Sequence, residues 1–201
     1  MSSLHQGVIR ETVLPELTEA ALSLEANMSN DDQKRLYVLL TDTGTRFSRI
    51  SKLVTGDPYN HVSVSFDDTL ETIYTYALRN ANGFKGGLKK ENLEVLKGSR
   101  YSLYELPVTT DIYGQVVSKV KEMEEDLVGT GYNHLALINA IFKKEIFESE
   151  MGAKMICSQF VVEILKQSGV ELFKNRASST VRPYDFVRSK LLRFVRRGKF
   201  R

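Results

Sequence analysis

Two stretches of strict alternation constrain this chain more than any other feature. His61-Val62-Ser63-Val64-Ser65-Phe66 and Thr72-Ile73-Tyr74-Thr75-Tyr76-Ala77 both change character at every residue, and only Asp67-Asp68-Thr69-Leu70-Glu71 separates them. A period of two fits a pleated strand and not a helix, so the pair predicts a β-hairpin. Val62, Val64 and Phe66 then share one face, and His61, Ser63 and Ser65 share the other. With that turn, His61 is expected to fall opposite about Thr75.

The rest of the chain supplies strands and helices in an order that predicts an α+β domain. Leu36–Thr41 (LYVLLT) reads as a buried strand, and Val95 and Tyr101–Leu106 as further strand candidates. Phe47–Val54 fits a brief helix ending at Thr55-Gly56. GDPYN is turn chemistry, and Gly86-Gly87 reads as a turn within a glycine-bearing loop. Asp111–Leu127 reads as an amphipathic helix, Tyr132–Phe142 as a mostly buried one, and Ile156–Ser168 as a third, stopped by Gly169. Val8–Leu24 has helical apolar spacing. Residues from Pro183 onward are expected to be helical in part. The resulting organisation is an N-terminal helical extension over 1–35, a domain over 36–187, and a basic tail over 188–201.

Length and composition suit one domain with a sizeable core: 201 residues, 42% hydrophobic and 26% charged. They exclude collagen, a long coiled coil and wholesale disorder. A single cysteine excludes an internal disulfide framework and a Cys-rich metal site. With only His5, His61 and His134 besides, no structural zinc is expected. The net charge of +3 is uneven. Residues 188–201 hold seven Lys/Arg and no acid, which leaves −4 on the rest. Such a tail suits an acidic partner or an anionic surface. Cations near the C-terminal end of a helix would explain it equally well. A specific nucleic acid partner is not expected, because the body is net acidic. No stretch has the basic-then-apolar pattern of a secretory signal, and none approaches a transmembrane segment. The expected location is cytoplasmic, or inside a virus particle.

Chemistry concentrates at two residues. In KMICSQFVVEILKQSG the periodic apolar residues begin just after Cys157, which puts the thiol in the first turn of a helix. There the macrodipole favours a thiolate, and free backbone N–H groups suit an oxyanion. A thiolate needs a basic partner. His61 opens a strand whose polar face carries only small serines. The plainer readings are a small buried hydrophobe for Cys157 and a satisfied strand-start residue for His61. The TGT at Thr43–Thr45 lacks phosphate-loop spacing. His134 fits a packed or exposed helix position, and Glu122, Glu124, Glu125 and Asp126 fit a solvated helix face.

Several segments, in order, carry a family likeness: Tyr59-Asn60-His61-Val62-Ser63-Val64-Ser65-Phe66, Ile73-Tyr74-Thr75-Tyr76, Gly86-Gly87, Cys157-Ser158-Gln159-Phe160-Val161 and Arg182-Pro183-Tyr184-Asp185-Phe186. Preceded by DTGTRFSRISKLVTG, they resemble the permuted papain-like cysteine hydrolases, relatives of the NlpC-type peptidases and of lecithin:retinol acyltransferase. In that group the histidine strand precedes the cysteine helix. The resemblance implies a circularly permuted papain-like fold, a small antiparallel sheet packed against helices, with the cysteine at a helix N-terminus. It implies Cys157 as nucleophile and His61 as general base. Thr75 matches the third position, where the family usually has His, Glu, Gln or Asn. Ser158 and Thr45 are the oxyanion or cleft candidates. The implied activity is a cysteine hydrolase (peptidase or amidase) cleaving an amide or ester, with a peptide, isopeptide, peptidoglycan stem peptide or acyl link as substrate, and with no metal or organic cofactor. Two alternatives remain open at this point. One is a papain-like binding or structural module that has lost turnover, such as a virion component. The other is an acyltransferase on the same fold.

Overall fold

The computed structural model describes residues 32–44, 55–78, 86–125, 131–132 and 154–201. A compact unit spans Lys34–Arg201. The helices expected at Val8–Leu24 and Phe47–Val54 lie outside the described residues. So does the one expected at Tyr132–Phe142, apart from Tyr132.

The architecture is α+β. Strands β1 (Gln33–Asp42), β2 (His61–Ser65), β3 (Ile73–Leu78), β4 (Gly86–Glu91), β5 (Arg100–Thr109) and β8 (Arg193–Lys199) form one sheet in the order β4-β3-β2-β1-β5-β8. A separate parallel pair joins β6 (Gly131–Tyr132) to β7 (Lys154–Met155). Helices α1 (Thr110–Glu125) and α2 (Cys157–Lys166) are the α-helices among the described residues.

The alternation in the two early strands produces the expected hairpin, since β2 pairs antiparallel with β3. Both faces of β2 are covered, however. Val62 and Val64 are fully buried, and so are Ser63 and Ser65. Leu70, in the connecting turn, has a left-handed φ of +61° and is buried. Its burial offsets a conformation that costs a non-glycine residue on the order of 1 kcal/mol.

One face of the sheet carries the main core. Leu36, Val38 and Leu40 of β1, Val62 and Val64 of β2, Tyr74 and Tyr76 of β3 and Leu106 and Val108 of β5 pack with Val116 and Val120 of α1 and with α2. Every residue of α2 from Cys157 to Leu165 is buried, the polar Ser158, Gln159 and Glu163 included. Phe160 packs against Tyr76 with ring centroids 5.2 Å apart. Gly169, at φ +88°, lets the chain leave the helix, and Val170 N donates back to Leu165 O at 2.9 Å. The opposite face carries a smaller cluster of Tyr37, Leu39, Leu70, Ile73, Leu96 and Leu103.

Three expectations change. Val95 lies in a short 3₁₀ helix, Leu93–Leu96, capped by the Asn92 side chain, and not in a strand. Gly86-Gly87 opens β4 and pairs with Leu78 and Ala77, so it is not a turn. The segment 188–201 is neither an appended tail nor a helix. After the 3₁₀ turn Pro183–Arg188 it forms β8, paired along β5 from Arg100↔Lys199 to Glu105↔Arg193, and so belongs to the domain. Among the described residues no helix is long and apolar enough to cross a membrane.

Candidate active site

His61 is the first residue of β2, and Thr41 is its partner across β1. The chain enters that strand through a pinned segment. Asn60 N donates to Thr41 O at 3.1 Å, and its carboxamide oxygen accepts from Thr43 N and Thr43 Oγ1 at 3.3 and 3.1 Å. The neighbouring Tyr59 hydroxyl bonds Ser102 Oγ at 2.6 Å, which ties the approach to β5. Asp57 pairs with Arg182 at 2.9 Å. The imidazole therefore hangs from a backbone held at three places.

Cys157 is the first residue of α2, which packs across β2 and β3. Its thiol is hydrogen-bonded to His61. Backbone N–H groups of Val62 and Ser158 also point at the sulfur. Two parts of the chain 96 positions apart thus meet where the start of α2 packs on β2 and β3.

Burial by itself pushes the Cys157 thiol up, away from the thiolate. The His61 hydrogen bond and charge, with the two backbone donors, outweigh it and leave the thiol below its ordinary 9.0. Burial likewise pushes the His61 imidazole down. The bond and charge of Cys157, then the charge of Glu91, outweigh that and raise it above 6.5, against a smaller opposing effect of Lys89. The two shifts run towards each other, because each partner stabilises the charged form of the other.

The other side of the ring is held by Thr75, whose Oγ1 lies 3.2 Å from His61 Nε2. The pairing Ser65↔Ile73 and Val64↔Tyr74 does not set Thr75 directly across from His61. The hydroxyl reaches the ring diagonally along the shared face. Thr75 Oγ1 also donates to Val62 O at 2.9 Å. A hydroxyl has one proton, so Thr75 accepts from His61 Nε2–H. That fixes the tautomer of the neutral ring and leaves Nδ1 as the basic nitrogen for the thiol proton.

Glu91, at the end of β4, was not legible as part of this site. Its Oε2 lies 4.0 Å from His61 Nε2, its side chain is 6% exposed, and Lys89 Nζ stands 3.3 Å from its other oxygen. It supplies the carboxylate that Thr75 lacks. It does so from one strand further out, through the pairing Ile73↔Glu91.

Of the other candidates, Ser158 is fully buried and its hydroxyl donates to Val181 O at 2.5 Å, so it does not line a cleft. Only its backbone N–H faces the Cys157 sulfur. Thr45 and His134 lie outside the described residues. The Arg182-Pro183-Tyr184-Asp185-Phe186 segment is a brace: Asp185 Oδ2 accepts from Arg182 N at 2.9 Å and from Arg176 Nη2 at 2.7 Å. Among the described residues no group of three or more His, Cys, Asp or Glu side chains is placed to hold a metal ion. No protein-family model matches the chain, and no curated protein matches it.

Proposed function

We propose that this chain is a thiol hydrolase, built on a circularly permuted papain-like fold, that opens an amide or ester carbonyl through an acyl-enzyme on Cys157. The observation that carries this reading is the hydrogen-bonded Cys157–His61 pair, with the thiol displaced down and the imidazole displaced up. A structural cysteine buried among hydrophobes has its pKa raised instead.

In the proposed reaction His61 Nδ1 holds the thiol proton and the thiolate attacks the carbonyl carbon. A C–S bond forms, and the carbonyl π electrons move to oxygen. Backbone N–H groups at the start of α2 hold that oxyanion. As it collapses, the bond to the leaving nitrogen or oxygen breaks, and the imidazolium gives that atom its proton. Water then attacks the thioester while His61 takes one of its protons. The C–S bond breaks, the acid leaves, and the thiolate–imidazolium pair is restored. Thr75 and Glu91 are positioning residues here: they touch the ring and not the substrate.

The test uses the full chain, iodoacetamide and an activated ester. Wild type is expected to alkylate at Cys157 well below pH 9 and to hydrolyse the ester, with Cys157→Ala losing both. Hydrolysis by Cys157→Ala at the wild-type rate would overturn the mechanism, as would a thiol that titrates like a free one.

A further inference from the structure

Strand β8 presents a surface that the Cys157–His61 pair does not use. It ends the sheet, and all seven of its residues are exposed. Phe200 N donates to Ser99 O at 3.0 Å, and Phe200 O accepts from Gly98 N at 2.9 Å, so the Phe200 backbone faces β5. Backbone groups alternate in direction along an antiparallel strand, so Lys199 and Arg197 turn theirs to the open edge.

The side chains divide between both faces. Lys199 and Arg197 lie opposite Arg100 and Ser102, on the face that carries Tyr104 and the main core. Arg196 lies opposite Leu103, and beyond a register shift between Leu103 and Tyr104 Arg193 falls opposite Glu105, both on the other face. Among the described residues Arg197, Lys199 and Arg201 have no carboxylate partner. Lys199 also sits directly across from another cation, Arg100. Arg196 donates to a backbone carbonyl, that of Asp68, at 2.5 Å. Phe194 and Val195 are 56% and 37% exposed in the middle of this charge.

We propose that β8 docks an extended acidic peptide segment of a partner protein as a seventh strand. Strand addition satisfies the outward backbone groups of Arg197 and Lys199. An added strand also presents carboxylates to both faces, which matches cations on both faces. A nucleic acid or a membrane lying on one face meets only half of them. Charged edge strands also serve to keep sheets apart. That role repels a basic or neutral strand but attracts an acidic one, so the two roles separate experimentally. The proposal stands independently of the hydrolase reading.

The probe is a fluorescein-labelled, glutamate-rich peptide about eight residues long, long enough to span a strand. It is titrated into the full chain by anisotropy at low salt. Its partner is the same peptide with alternate backbone amides methylated, which keeps the charge and blocks the ladder. Binding is expected to weaken by at least ~10-fold on methylation and in Arg197→Glu/Lys199→Glu. Amide exchange at Arg197 and Lys199 is expected to slow when the unmethylated peptide binds. No binding overturns the proposal, and so does equal binding of the methylated peptide to wild type, which does not depend on the variant folding. Tighter binding of oligo(dT) or of phosphatidylserine vesicles than of the peptide would also overturn it, in favour of that other partner.

Discussion

Replacing Thr75 by valine removes one oxygen and keeps the shape of the side chain. Two bonds go with it: the acceptor 3.2 Å from His61 Nε2 and the donor 2.9 Å from Val62 O. The second loss costs about 1 kcal/mol of stability, small against a typical total of roughly 5–15 kcal/mol, so the fold survives. The first loss leaves the ring N–H without its acceptor in a buried place. A hydrogen bond to a charged group contributes about 1.5–3 kcal/mol, which corresponds to roughly a 10- to 150-fold fall in reactivity. The sign follows from the ring. Without the acceptor the imidazolium is less stable and the His61 pKa falls. The thiolate loses part of its counter-charge, and the Cys157 pKa rises. Iodoacetamide rates measured across pH therefore drop most on the acid side, and the rise moves to higher pH. Thr75→Ser keeps the hydroxyl and is expected to restore most of the rate. A valine variant with the wild-type profile would refute the role given to Thr75, and serine failing to rescue would refute the hydrogen-bond explanation.

Glu91→Gln keeps the volume and removes the charge. At 4.0 Å and an effective dielectric of ~20, that charge is worth up to about 4 kcal/mol to the imidazolium, before Lys89 is counted. Ester hydrolysis is expected to fall roughly tenfold, and its alkaline limb, where His61 loses its proton, to move to lower pH. Asp185→Ala breaks the brace on Arg176 and the Arg182 backbone. Losing one partner of such a pair costs about 3 kcal/mol, or a fall in Tm of about 6–12 °C by scanning fluorimetry. A Tm unchanged to within a degree or two would show that the brace is not holding the segment.

The parts of the fold that sequence reading reached are those with a one-dimensional signature. Period two marks β2 and β3, and α2 is legible because Phe160, Val161, Ile164 and Leu165 recur at helical spacing and Gly169 follows as a stop. Strand β8 has no such signature, because its charges sit on both faces and RFVRRGK shows no alternation, and only pairing with β5 makes it a strand. Strand β4 hid behind two glycines that favour turns in isolation. The site divides in the same way. Cys157 and His61 stand beside recognisable elements, and Thr75 sits on the hairpin itself. Glu91 comes from a further strand, and its place near the imidazole depends on β3–β4 register, which no local pattern encodes.

The sheet order carries a consequence for how the molecule is made. β1 lies between β2 and β5, and β5 waits more than 80 residues for β8. A nascent chain halted before Arg193 leaves the β5 edge bare while Leu103 and Leu106 are already committed to packing. Such long-range closures slow folding and lengthen the time during which a half-built sheet is open to aggregation. Substitutions that slow the pairing of β8 with β5 are therefore expected to lower the yield of folded protein more than equal substitutions in the β2–β3 hairpin.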